Sequence, residues 1–154
     1  MIELSEKSKN LLNIYKEVFT LNKECLLSGS LAIQLQNVKT RRNSEDLDIY
    51  LPFGQTFQMP EGMQIKKPDL CEQYEDEDFE RFSYRFKSVN IDVFMPVEDL
   101  SDYKPMVSYN HEHSTKMVRF DEIMRFKIMH SFGEAFSKYK HKDDLIYSLV
   151  ANIS

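Results

Sequence analysis

Three short groups of residues have the types and spacing to do chemistry together. Asp46-Leu47-Asp48 places two carboxylates two positions apart. On a strand they share one side of the pleat, while Leu47 and Ile49 take the other. Adjacent like charges repel and strands are poor in Asp, so a cation belongs between them. A hard divalent ion with oxygen ligands is the natural candidate; an edge strand with a wet polar face is the alternative. Ile91-Asp92-Val93 sets a single acid between two β-branched apolar residues. That is the pattern of a central strand, where an uncompensated carboxylate is costly. A salt-bridged structural Asp is the plainer reading. If its strand neighbours that of Asp46 and Asp48, the three acids converge, and three carboxylates can hold two Mg²⁺ ions for an in-line displacement at phosphorus. Ser28-Gly29-Ser30 is the third group. Gly lets a phosphate approach the backbone, and the free N–H groups of a helix N-terminus favour an anion. A simple turn with Ser30 capping a helix explains the same residues.

The elements that must position these groups can be read from the patterning. Ser5 to about Leu21 carries Leu11, Leu12, Ile14, Tyr15, Val18 and Phe19 at helical spacing, with Ser5 a fitting N-cap. Glu24 to Ser28 reads as a short buried strand closed by Gly29-Ser30, and Leu31 to Leu35 as a short helix. Asn37 to Glu45 is a polar basic loop. Asp46 to Leu51 is the next strand, ended by Pro52, and Met63 to Lys66 a short one. Phe79 to Phe86 alternates as a strand. Ser88-Val89-Asn90 should turn it into Ile91 to Phe94, stopping at Pro96. Thr115 to Arg119 suits a further strand. Phe120 to about Phe136 and Asp143 to Ile153 suit two closing helices. The order predicts one α+β (α/β) domain over residues 1–154, a small mixed β-sheet flanked by helices. Its core would span residues 23–96 and its C-terminal helices residues 120–153.

Composition narrows the chemistry. The chain has 154 residues and a formal net charge of −5. An acidic excess argues against general duplex DNA binding, which needs a basic face. With 4 scattered glycines, neither a P-loop nor a dinucleotide fingerprint can be built. The polar start predicts no secretory signal, and no apolar stretch is long enough to cross a membrane. Cys25 and Cys71 suit two reduced thiols in a cytoplasmic protein, Cys25 within the core. The acidic run Glu72 to Glu80 reads as a solvated loop.

Taken in order, G-S, then D-L-D-I, then I-D-V resembles the signature of nucleotidyltransferases of the DNA polymerase β-like superfamily. The resemblance implies that Gly29 and Ser30 grip the triphosphate of an NTP. It implies that Asp46 and Asp48 bind Mg²⁺ (two ions, with Mn²⁺ able to substitute), and that Asp92 is third ligand and general base. Arg42-Asn43-Ser44-Glu45-Asp46 further resembles the R-x-S-x-D-x-D arrangement of minimal nucleotidyltransferases related to AbiEii-type toxins. That likeness adds Arg42 and Ser44 to the nucleotide site. It also matches Lys127 and the Lys142-Asp143 pair to positions on later helices, so that Lys127 and Asp143 join the catalytic set. From the residues alone, Lys127 falls in the middle of an apolar stripe made by Phe120, Ile123, Met124, Ile128 and Ser131. It would reach Asp143 or a nucleotide, or else snorkel at the core edge.

The resemblance implies transfer of an NMP to a hydroxyl of tRNA, protein or a small molecule, in a toxin–antitoxin or phage-defence setting with an antitoxin or partner chain. The rival expectation is a catalytically silent module of the same fold, acting by binding. A plain interaction domain is the third. His111-Glu112-His113 offers too few ligands for a zinc site, and His130 and His141 suit helix or surface positions.

Overall fold

The structure, a computed structural model, describes residues 2–40, 44–66, 79–97, 105–131 and 152. Helix α1 (Glu6–Leu21) begins where expected: the Ser5 hydroxyl accepts from the Ser8 amide at 3.1 Å. Its buried stripe holds Leu11, Leu12, Ile14, Tyr15 and Val18. Asn22 ends it, its side-chain amide donating to the Val18 and Gln58 carbonyls at 3.0 and 2.9 Å. The chain then enters β1 (Leu26–Ser28) and passes directly into α2 (Gly29–Leu35). The helix starts two residues before the expected Leu31, because Gly29 takes a positive φ of 69° and turns the chain at once.

Strands β2 (Leu47–Tyr50), β3 (Gln64–Ile65), β4 (Phe79–Phe86), β5 (Val89–Pro96), β6 (Val107–Asn110) and β7 (Thr115–Val118) follow, then α3 (Phe120–Ser131). The seven strands of the described residues form one mixed sheet in the order β3-β4-β5-β2-β1-β7-β6. The fold class is therefore the expected α+β arrangement. Strand β2 is antiparallel to β1 and parallel to β5, and β1 is parallel to β7. Hence β2 is a central strand, which excludes the edge-strand reading of Asp46 and Asp48. Strand β5 is central as well.

The turn between β4 and β5 differs from expectation. It lies at Lys87-Ser88, both at positive φ (50° and 64°), so β5 already begins at Val89. Two successive residues at positive φ make the tight hairpin whose twist matches its strands. The hairpin end is tied to α1 by the Lys87 ammonium, 2.8 Å from the Glu17 carboxylate. Strand β5 also runs on through Pro96, which a strand end tolerates. Strand β6 is an addition, completing a second hairpin with β7.

One face of the sheet is the core. Leu27, Leu47, Ile49, Ile91 and Val93 are each 0% exposed there. Helix α2 packs on β1 and β2 and meets both α1 and α3. Polar side chains fix these contacts. Gln36 donates to the Val118 carbonyl at 2.9 Å and accepts from the Phe120 amide at 2.8 Å, and Asn110 donates to the Leu35 carbonyl at 2.8 Å. Cys25 is buried as expected. The acidic run at 72–78, Cys71 and the final helix fall outside the described residues. No described helix is long and apolar enough to cross a membrane.

Candidate functional site

Strand alternation that buries Leu47, Ile49, Ile91 and Val93 turns the intervening residues to the opposite face. There the register sets Ser28 beside Asp48, Asp48 beside Asp92, and Asp92 beside Ser83. One row thus crosses β1, β2, β5 and β4, with two acids flanked by two serines. All four residues are half-buried. The neighbouring strands that the acid spacing required are present, and Asp48 and Asp92 are direct cross-strand partners.

Gly29 explains how β1 joins this row. Its backbone lies against the Asp48 carboxylate so closely that a Cβ there would collide with Asp48 Oδ2 and come within 2.9 Å of Asp48 Cβ and Cγ. Positive φ and close approach both demand glycine at this position. Ser30 follows in the first turn of α2, half-buried. Ser28, at the N-cap of that helix, makes no side-chain capping bond.

Asp46 immediately precedes β2 and is exposed. Among the described residues no three His, Cys, Asp or Glu side chains are grouped so as to hold a metal ion, so Asp46 does not join Asp48 and Asp92 in such a group. The two paired carboxylates nonetheless fit a hard divalent cation by donor chemistry: oxygen ligands from adjacent strands, that of Asp48 lying against the Gly29 backbone.

Ser44, two residues before Asp46, is 2% exposed, and its buried hydroxyl has no hydrogen-bond partner among the described residues. Such a group costs about 1–3 kcal/mol unless something satisfies it. A chain of polar side chains holds Thr40. The Ser8 hydroxyl donates to Gln34 Oε1 at 3.2 Å, and Gln34 Nε2 donates to the Thr40 hydroxyl at 2.9 Å. Arg42 lies outside the described residues, as do Lys142 and Asp143. Lys127 lies on α3, and only that placement is described.

Of the site residues, Ser83 is the one that sequence reasoning missed. Its hydroxyl donates to Asp92 Oδ1 at 2.7 Å. The available signal was the hairpin register, which a turn at Lys87-Ser88 fixes. A turn centred on Val89 instead sets Asp92 opposite Phe86. His111 and His113 sit at the β6–β7 turn, His111 against the Tyr109 ring with centroids 4.7 Å apart. They belong to no metal-holding group among the described residues.

No family model matches the chain, and no curated protein does. Among solved structures the chain is similar to an antigenic nucleotidyltransferase-like protein from Paracoccidioides brasiliensis. The two share 15% identity at a TM-score of 0.50, covering 97% of this chain and 79% of that one. At that identity the likeness establishes the fold alone, and the fold is nucleotidyltransferase-like.

Proposed function

We propose that the protein is a metal-dependent nucleotidyltransferase, moving an NMP from an NTP to a hydroxyl acceptor. The observation that carries this reading is the register that makes Asp48 and Asp92 cross-strand partners while Gly29 backs directly onto Asp48. A nucleotidyltransferase-like fold around that pair supports it.

In this reading Asp46 and Asp48 hold Mg²⁺, or Mn²⁺ in its place, and Asp92 completes the ligand set. Asp46 would have to turn its side chain toward the pair when metal and nucleotide arrive. The bound ions would supply charge neutralisation at the entering and leaving oxygens. Gly29 and Ser30 give the triphosphate a close approach to the backbone. Ser44 donates its unpartnered hydroxyl to a nucleotide oxygen, removing an unsatisfied buried group. Arg42 and Lys127 add positive charge to the nucleotide, and Asp143 orients Lys127. Asp92 takes the proton of the acceptor hydroxyl as its oxygen bonds to the α-phosphorus. The bond from that phosphorus to the bridging oxygen breaks, and pyrophosphate leaves.

The acceptor is tRNA, a protein or a small molecule, and the AbiEii-like motif suggests a cytoplasmic toxin with an antitoxin as partner chain. The exposed position of Asp46, in no metal-holding group among the described residues, favours a second reading: a silent module that binds nucleotide without turnover.

The test is transfer of label from radiolabelled NTPs to tRNA, protein and small-molecule acceptors by the native chain, Asp46→Ala and Asp48→Ala. Either substitution should lower turnover by at least about 10²-fold, the effect of removing a group that acts in the transition state. Label transfer unchanged in both variants would overturn the assignment. Calorimetric binding of Mg-NTP with no product under any acceptor would favour the silent module.

A further inference from the structure

The hydroxyl beside Asp92 lies on the face of the sheet away from the core. Strand β4 contributes Tyr84 and Phe86 to the core, and Ser83 faces the other way. Its position is nevertheless set from both sides. Ser83 is the cross-strand partner of Asp92 in the β4–β5 hairpin, and its carbonyl accepts from the Lys66 amide at 2.9 Å at the far edge. The 2.7 Å contact to Asp92 Oδ1 is a well-formed hydroxyl-to-carboxylate hydrogen bond. Asp92 in turn lies beside Asp48, so an acid pair that repels is bounded on its outer side by a donor.

We propose that Ser83 is a positioning residue for Asp92. Its hydroxyl holds Oδ1 and thereby fixes the carboxylate rotamer, leaving Oδ2 alone to serve as metal ligand and proton acceptor. A carboxylate free to rotate would offer either oxygen, and would spread its charge over several geometries. Partners of ligating carboxylates orient them in this way, and their loss typically costs roughly 10–100-fold in metal affinity or activity. The inference rests on the nucleotidyltransferase reading, since it assigns a supporting residue to the same acid.

Ser83→Ala removes the donor and keeps the strand; Ser83→Thr keeps the donor and suits a strand better. Each is compared with the native chain and Asp92→Ala by Mn²⁺ titration without nucleotide, by label transfer split into kcat and KM, and by thermal melting. Ser83→Ala should weaken Mn²⁺ binding and lower kcat by roughly 10–100-fold, with KM for NTP and the melting temperature close to native. Ser83→Thr should restore both. Native Mn²⁺ affinity and kcat in Ser83→Ala, alongside loss of both in Asp92→Ala, would overturn the role of Ser83 and leave the nucleotidyltransferase reading standing. Mn²⁺ binding that neither Asp92→Ala nor Ser83→Ala alters, or that the native chain lacks, would overturn the reading of the site and this role with it. Equal loss in Ser83→Ala and Ser83→Thr, with lowered melting temperatures, would make Ser83 a packing residue and overturn the proposal.

Discussion

The two faces of strands β1, β2 and β5 differ sharply. On one, Leu27, Leu47, Ile49, Ile91 and Val93 are wholly enclosed. On the other, one residue away along the same backbone, Ser28, Asp48 and Asp92 stand in a half-buried row. Strand periodicity makes this division sharp: a slip of one residue would put every acid in the core and every aliphatic side chain outside. The apolar face therefore fixes the register that aligns the acids. Stability and chemistry are written on alternate residues, and substitutions should separate them.

The largest effect on folding should come from the core face. Ile91→Ala should cost about 2–5 kcal/mol, as truncation of a buried Ile generally does, read as a lower denaturation midpoint. Asp92→Ala, its immediate neighbour, should melt close to native while losing label transfer. If Ile91→Ala melts normally but loses transfer, the two faces are not separable in the way the burial implies.

Gly29 is the point where that separation should break. An alanine there must hold φ near +69° and meet the Asp48 carboxylate. The left-handed backbone alone costs about 1–2 kcal/mol for an L-residue, and the collision adds to it. Gly29→Ala should therefore lower both stability and nucleotide binding. In an Asp48→Ala background the contacts to Oδ2 and Cγ are gone and only the 2.9 Å approach to the residue 48 Cβ remains, so the same substitution should cost less. The coupling measured by that double-mutant cycle tests the approach of Gly29 to Asp48. Strict additivity would place the two residues apart.

The same comparison explains what could be read from the chain beforehand. Local signals sufficed for α1, where a cap and a buried stripe coincide, and for β4, whose alternation runs over Phe79–Phe86. The acids themselves were visible as a two-residue spacing and an acid between β-branched neighbours. Which strands pair is a long-range matter, decided by packing that no window of sequence contains. The sequence made convergence of the acids conditional on the two strands being neighbours, and the β2–β5 register meets that condition for Asp48 and Asp92. The hairpin turn was misplaced because Lys87 and Ser88 adopt positive φ without the Gly or Asn that normally announces it. That small displacement hid Ser83. Strand β6 was missed because four residues of alternating exposure at a sheet edge carry little hydrophobic signal. The roles given to Arg42 and Asp143 fall outside the described residues.

The smallest effect that should distinguish the two faces is an alkaline one, and it belongs to the core. Cys25 lies at the entrance to β1 with its thiol 3.7 Å from the Tyr15 hydroxyl. Burial pushes that thiol up from the ordinary 9.0 to about 11. Burial, with the charge and hydrogen bond of Cys25 adding to it, pushes the Tyr15 hydroxyl upward from 10.0 as well. Both groups hold their protons more tightly folded than unfolded. The stability this represents is complete below pH 9.0, where the unfolded thiol is still protonated, and is lost as pH rises toward 11. Melting temperature should thus be insensitive to the thiol below pH 9 and decline above it. In Cys25→Ala the decline should begin later, since Tyr15, Tyr50 and Tyr84, which burial also pushes upward, start from 10.0. An unchanged onset in Cys25→Ala would assign the alkaline sensitivity to groups other than this core thiol.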